Sequence, residues 1–310
     1  MTVLHPGSLT DVAGLSVGHR TRTDRATGCS VVLCPQGVVC GADVRGGAPG
    51  TRETDLLRSE NTVDRVHAVL LTGGSAFGLD AASGVMRWLD EHGHGLAVGP
   101  ARVPIVPAAV LFDLWHGDAR IRPTADDGHA ACEVASTAPP AQGRVGAGAG
   151  AAVGKLFGFD QSSTGGIGTA SLTVGAFTVG ALVAVNAVGD VLDEQGEVLA
   201  GRGATRRLLA GDGPPRLMAG MATTIGVVAT DAALGKAQCN KLAQLAHHGL
   251  SRAIDPVTPH DGDTLFALAT GGAGRAGDLA ALGAMAAEAV ARAIRNAVRA
   301  AAAAGGRRSE

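Results

Sequence analysis

The sequence predicts an α/β fold, and three observations carry the prediction. The run His67-Ala68-Val69-Leu70-Leu71-Thr72 reads as a buried strand, and Gly73-Gly74-Ser75-Ala76-Phe77-Gly78 turns it into a helical segment near Leu79 to Glu91. Two segments rich in β-branched residues, Gly168 to Thr173 and Phe177 to Asn186, are separated by Val174-Gly175-Ala176 and read as a hairpin within a sheet. The alanine-rich stretch Asp278 to Ala304 has the composition of a long final helix, with Gly305 to Glu310 as a frayed tail.

The other elements follow in chain order. Cys29 to Cys40 is an apolar, strand-like stretch. A polar, glycine-rich segment from Gly201-Arg202-Gly203 through Gly211-Asp212-Gly213-Pro214-Pro215 reads as an exposed loop. Thr223 to Thr230 (TTIGVVAT) is a strand, and Asp231 is the expected N-cap of a helix whose apolar residues are Leu234, Ala237, Leu242, Leu245 and Ala246. Thr264 to Thr270 (TLFALAT) is a further buried strand, closed by Gly271-Gly272. No internal repeat is present.

Composition narrows the functional classes. With 46% apolar and 17% charged residues the chain of 310 residues is globular, and its 47 glycines imply many tight turns. A formal charge of -2 gives no electrostatic reason to expect nucleic acid or a membrane surface as partner, so a small, weakly charged substrate fits better. The first residues, MTVLHPGSLT, show no basic segment before an apolar run, and no apolar stretch reaches membrane-spanning length. Five cysteines (Cys29, Cys34, Cys40, Cys132, Cys239) match no zinc spacing and read as buried free thiols of a reducing cytoplasm.

Several motifs fail on inspection. Gly146-Ala147-Gly148-Ala149-Gly150-Ala151-Ala152-Val153-Gly154-Lys155 resembles a phosphate loop, but a Walker loop needs glycine where Ala149 stands and serine or threonine where Leu156 stands. What remains is Lys155 among small residues, either on the surface after a flexible loop or placed so that its ammonium meets a substrate oxygen or tunes a neighbour. His92-Gly93-His94 and His247-His248 lack companions at metal-ligand spacing and read as helix-end residues. Ser75 does not stand in a G-x-S-x-G elbow, which leaves it a turn residue or part of a pocket wall. Asp261-Gly262-Asp263 puts two carboxylates at a strand entrance without the further oxygens of a calcium loop. Asn186 ends the apolar run Ala181-Leu182-Val183-Ala184-Val185, where an amide is either bonded structurally or aimed at a ligand.

Taken in order, these fragments resemble the L-aminopeptidase/D-Ala-esterase/amidase family, which includes β-aminopeptidases and 6-aminohexanoate oligomer hydrolases. The likeness runs nearly end to end, through Leu71 to Ala82, Val103 to Leu114, Gly154-Lys155, Val183 to Ala187 with Gly189-Asp190, Thr223 to Asp231 and Asp261 to Gly271. It implies a layered sandwich of central β-sheets flanked by helices, forming one structural domain. It also implies self-cleavage before Thr223, into segments 1–222 and 223–310 that stay together, and assembly as a homotetramer. By the same resemblance Thr223 is the nucleophile, Lys155 assists it, Asn186 donates to the oxyanion, Asp261 and Asp263 orient and charge-balance the centre, and Phe112 and Ser75 line the substrate site.

The chemistry suits those residue types. A threonine hydroxyl is a weak nucleophile alone, but a freed α-amine of reference pKa about 8 is partly neutral near pH 7 and can serve as its base. No cofactor is then required. The implied substrate is a small peptide, an amino-acid amide or an amide oligomer. Two features depart from the family pattern: Met221-Ala222 precedes the nucleophile where relatives commonly have asparagine or glycine, and the chain has no tyrosine, so Phe112 stands where some relatives place a hydroxyl. Met221-Ala222-Thr223-Thr224 is also similar to the processing site of ornithine acetyltransferases, which makes acyl transfer an alternative. An uncleaved binding protein of the same fold is the third possibility, and it would run as one full-length band on a denaturing gel.

Overall fold

The strand Phe177–Asn186 shows how the sequence builds the core. Its residues Val179, Ala181, Val183 and Val185 fall into one apolar cluster, whereas Leu182 and Ala184 between them fall into another. An uninterrupted apolar run is what a strand covered on both faces requires. This computed structural model describes residues 3–115, 117–213 and 220–305.

The main sheet has nine strands. Gly166–Val174 pairs with Phe177–Asn186 as an antiparallel hairpin, and Phe177–Asn186 pairs on its other side with Thr223–Thr230. Thr264–Ala269 lies parallel to Thr223–Thr230 and antiparallel to the end of the long strand Gly28–Val44. Gly28–Val44 then carries the sheet onward, through Arg65–Thr72, Ala108–Val110 and Thr51–Arg52, with Ser16–Thr21 also paired to it.

Three apolar clusters divide the molecule into four layers. The first packs the helices Lys236–Ala246, His248–Ala253 and Leu279–Gly305 on one sheet half, through Val183, Val228, Leu265 and Ala267. In the second, Leu182, Ile225, Val227 and Phe266 of that half meet Val32, Cys40, Val69 and Leu71 of the other half. The third packs the helices Ala81–Glu91 and Ala125–Glu133 against Val31, Ala68 and Leu70. The sheet therefore faces itself across an apolar interior, with helices outside each half, as in the expected sandwich. Gly168 lets the helix Leu279–Gly305 approach the sheet, because a Cβ there would lie 2.1 Å from the Ala293 carbonyl oxygen.

The strand Thr223–Thr230 has the predicted bounds, and the strands near 67–72 and 264–270 differ from prediction by two residues or fewer. Three local readings need correction. Asp231 is not an N-cap: its Oδ1 accepts from the Thr178 amide at 3.0 Å across the sheet, and the helix starts later, at Lys236 after Gly235. The loop from Gly201 to Gly213 contains a short helix, Ala204–Leu209. The segment after Gly73-Gly74 first makes a turn of 3₁₀ helix, Ser75–Asp80, so the α-helix starts at Ala81. Pro214, Pro215 and the tail beyond Gly305 lie outside the described residues. The five cysteines are free and buried, and among the described residues no helix is long and apolar enough to cross a membrane.

Candidate active site

Three strand ends meet at one edge of the sheet. Asn186, the last residue of its strand, stands opposite Thr223, the first of the next. Because Thr264–Ala269 runs parallel to Thr223–Thr230 with Ile225 opposite Thr264, Asp261 and Asp263 arrive beside the start of the Thr223 strand. Ala222 and Asp261 form an isolated parallel bridge in the same register, three residues before the Ile225–Thr264 pair. All five residues are buried.

Lys155 reaches the same point from off the sheet. Its amide donates to the Val188 carbonyl and the preceding Gly154 amide to that of Gly189, each at 2.8 Å, which fixes the backbone. The side chain turns inward, and Nζ donates to the backbone oxygen and the Oδ1 of Asn186, both at 2.8 Å, and to the Met221 carbonyl at 3.4 Å. Lys155 is therefore buried, not the surface lysine that one of the two local readings expected.

Asn186 is held on both sides. Its Oδ1 also accepts from the Ala152 amide at 3.0 Å, and its Nδ2 donates to the Phe112 carbonyl at 2.9 Å. The donor to the Ala222 carbonyl oxygen is instead the Gly262 amide at 3.1 Å, and the Thr223 hydroxyl donates to that same oxygen. Gly262 has no room for a side chain, since a Cβ would stand 2.9 Å from Thr223 Oγ1.

The carboxylates differ in their partners. Asp261 accepts from the Val188 amide at 3.1 Å and the Thr258 hydroxyl at 2.5 Å, whereas Asp263 accepts from the Thr224 amide at 2.6 Å. Burial pushes both carboxyls above the usual range, and Asp263 further because it also faces Asp261. Burial likewise lowers Lys155 to about 7, partly opposed by the charges of Asp261 and Asp263. Asp261 accepts two hydrogen bonds to Asp263's one, and its carboxyl is the less raised of the pair.

The two residues expected to line the substrate site are less buried than the central ones. Phe112 is half-buried, and its ring stands 5.3 Å from that of Trp115, which is 5.6 Å from that of Phe159. Ser75 is half-buried at φ +55°, and its amide donates to the carbonyl of Leu111, the neighbour of Phe112, at 3.0 Å. Sequence reasoning missed four contributors: the Gly262 amide, Thr258, the Phe112 carbonyl, and a buried pair under Phe112. In that pair Arg25 Nη2 stands 3.0 Å from Asp113 Oδ1, while Thr27 and the Gly74 amide also donate to the Asp113 carboxylate. The Thr-x-x-Asp spacing of Thr258 and Asp261, and an aspartate in the otherwise apolar run ending at Leu114, are the signals that could have found two of them. Among the described residues no cluster of three metal-ligating side chains is present.

Matched against solved structures, this layered architecture is that of peptide- and amide-cleaving enzymes. A Burkholderia sp. β-aminopeptidase superposes with a TM-score of 0.71 at 26% identity, over 97% of this chain and 89% of its own. The L-aminopeptidase D-Ala-esterase/amidase from Ochrobactrum anthropi, whose structure is described as a variant of the Ntn-hydrolase fold, shares the fold with a TM-score of 0.72 at 23% identity, over 97% and 88%. The chain belongs to peptidase family S58, whose model matches residues 7–310, and it is a hydrolase of peptide or amide bonds. An uncharacterized aminopeptidase of Mycobacterium leprae is 48% identical over 291 residues, 85% of this chain and 78% of the relative. A 6-aminohexanoate-oligomer endohydrolase of Kocuria sp. is 33% identical over 273 residues, 84% and 74% of the two chains.

Proposed function

We propose that this hydrolase activates itself by cutting between Ala222 and Thr223, leaving segments 1–222 and 223–310 in one structural domain, and then uses Thr223 as an N-terminal nucleophile. The observation that carries the reading is the Ala222 carbonyl, which accepts from the Gly262 amide at 3.1 Å and from the very hydroxyl that would attack it. That carbonyl is polarised beside its nucleophile. Thr223 Oγ adds to the carbonyl carbon, and the hydroxyl proton passes by way of neutral Lys155 to the departing Thr223 nitrogen. Water then cleaves the resulting ester, freeing the Ala222 carboxylate and restoring the hydroxyl beside a new α-amine.

In the mature site that amine is the base, and Lys155 assists at the nucleophile. Asn186 donates to the oxyanion once its Nδ2 leaves the Phe112 carbonyl, and Asp261 and Asp263 balance charge. Substrates are small peptides, amino-acid amides or amide oligomers, cleaved through an acyl-enzyme, with Phe112 and Ser75 toward the bound acyl chain. The related aminopeptidase and oligomer hydrolase support that range. The five buried free thiols support a reducing, cytoplasmic setting. The ribbon Leu96–Val98 and Ala101–Val103, with Leu96, Val98 and Val103 exposed, is apolar surface that a homotetramer would cover, which light scattering would test.

Intact-mass spectra of the purified chain and of its Thr223→Ala variant test the central step. Two fragments from the parent, the smaller beginning at Thr223, and one uncut variant are expected. An uncut parent overturns the proposal.

A further inference from the structure

A small cavity lies behind the candidate site, on the helix side of the sheet. Leu265 stands opposite Asp43 where Thr264–Ala269 pairs with Gly28–Val44, and Leu265 packs among the helices. Gly41 faces the same way, since a Cβ there would meet Asn240. The Arg45 amide continues the ladder by donating to the Asp263 carbonyl at 3.0 Å, so the alternation of a strand turns Asp263 and Arg45 toward the helices as well. There they help to enclose a cavity of about 60 Å³, together with His247, Leu250, Ser251 and Thr258.

His247 is buried at the junction of the helices Lys236–Ala246 and His248–Ala253. Its Nδ1 stands 3.0 Å from Asp43 Oδ2 and 3.4 Å from the Ala243 carbonyl oxygen. Both of those are acceptors, so Nδ1 carries the proton and Nε2 of the neutral ring is left as an acceptor. Among the described residues nothing bonds that Nε2, which is shut off from bulk solvent. A water needs only about 10–15 Å³ of such space and two or more polar partners, and this cavity offers both. The other charged wall, Arg45, is committed to Asp43, to which its Nη2 donates at 2.6 Å.

We infer that an ordered water in this cavity joins His247 Nε2 to the Asp263 carboxyl, and that His247 is thereby a positioning residue that holds a proton on Asp263. The inference rests on the proposed function, in which neutral Lys155 carries the proton. The protonated carboxyl donates to the water, the water to Nε2, and Nδ1–H to the Asp43 carboxylate. On its other side Asp263 faces Asp261 and Lys155. Without the acceptor at Nε2 the Asp263 carboxyl ionises more readily, and a further negative charge there raises Lys155 from about 7, the direction in which both aspartates already act on it. Less neutral Lys155 is then present at pH 7, and the midpoint of the rate moves upward.

Two variants of the full chain separate this role from a structural one. His247→Gln keeps a polar atom at the Nε2 end and loses the donor to Asp43, whereas His247→Asn keeps that donor and no longer reaches the cavity. Self-cleavage is followed by intact mass from pH 5 to 10. The glutamine variant should keep a midpoint near that of the parent, and the asparagine variant should shift upward by about half a unit or more and slow by about twofold or more at pH 7. If His247 serves only its contact with Asp43, the order of the two reverses. Any result that does not place glutamine nearer to the parent overturns the inference alone. A crystal structure of the parent decides the matter if the variants fail to fold: a water within about 2.7–3.2 Å of both His247 Nε2 and the Asp263 carboxyl is expected, and its absence overturns the inference. A parent that stays uncut overturns the proposed function instead, while the water still stands or falls on the crystal structure.

Discussion

Replacing Asn186 by aspartate separates the electrostatic part of the site from its shape. The substitution keeps the side-chain outline but puts a carboxylate oxygen 2.8 Å from Lys155 Nζ, where the amide oxygen now accepts. A hydrogen bond to a charged group exceeds a neutral one by about 1–2 kcal/mol, and 1.36 kcal/mol is about one pKa unit. Lys155, which burial holds at about 7, should therefore rise by at least about one unit. The sign follows from the role proposed for Lys155: the neutral amine carries the proton, so a higher pKa leaves less of it at pH 7. Self-cleavage at pH 7 should slow by about fivefold or more, and raising the pH should recover it, with the midpoint displaced upward from about 7. The variant also turns the donor facing the Phe112 carbonyl at 2.9 Å into an acceptor, which lowers the rate at every pH without moving the midpoint. Pulse-labelled chains sampled over time at pH 6 to 10 on a denaturing gel give both quantities. Parent and variant with the same midpoint would refute the assignment of the proton relay to Lys155.

Other parts of the structure make independent predictions. Arg25→Met strands the fully buried Asp113 carboxylate, and breaking a buried pair costs about 3–5 kcal/mol; the urea unfolding midpoint should fall sharply, with part recovered in the Arg25→Met, Asp113→Asn double variant. Gly168→Ala drives a methyl toward the Ala293 carbonyl, where its Cβ would stand at 2.1 Å, so it should cost about 1–3 kcal/mol or more by thermal unfolding. The thiols of Cys34, Cys132 and Cys239 are pushed up to about 12 by burial, so Ellman's reagent at pH 8 should label no cysteine of the native protein quickly and all five after denaturation. Rapid labelling of the folded chain would contradict the packing around them.

The sheet was legible because its strands are apolar on both faces. Phe177–Asn186 and Thr223–Thr230 bury every residue or nearly so, and such runs stand out in sequence without any knowledge of their partners. The long strand Gly28–Val44 was legible as Cys29 to Cys40, across the register shift in its pairing with Arg65–Thr72, and its last residues escaped because Asp43 breaks the apolar run. Ala204–Leu209 escaped because six residues between glycine-rich flanks are too few to show helical periodicity. Asp231 misled for a different reason: a side chain that can cap a helix can equally bond an amide on the neighbouring strand, and sequence spacing does not distinguish the two.

The site divides along the same physical line. Asn186, Thr223, Asp261 and Asp263 stand at the ends of readable strands, so once the strand order is known their convergence follows from register alone. Lys155 follows no such rule. Its position depends on two backbone bonds to the turn at Val188-Gly189 and on a side chain buried against Asn186, contacts between segments with no pattern of their own. The donor to the Ala222 carbonyl was still less accessible, because it is a main-chain amide, and main-chain amides look alike in every sequence. What the sequence could report there was the residue that lets the amide approach, a glycine between two aspartates. A Cβ at Gly262 would crowd both Thr223 Oγ1, at 2.9 Å, and the Ala48 carbonyl oxygen, at 2.5 Å. The permissive residue between the carboxylates is thus a steric requirement of the proposed nucleophile's surroundings, since any side chain there would displace the hydroxyl from the carbonyl it faces.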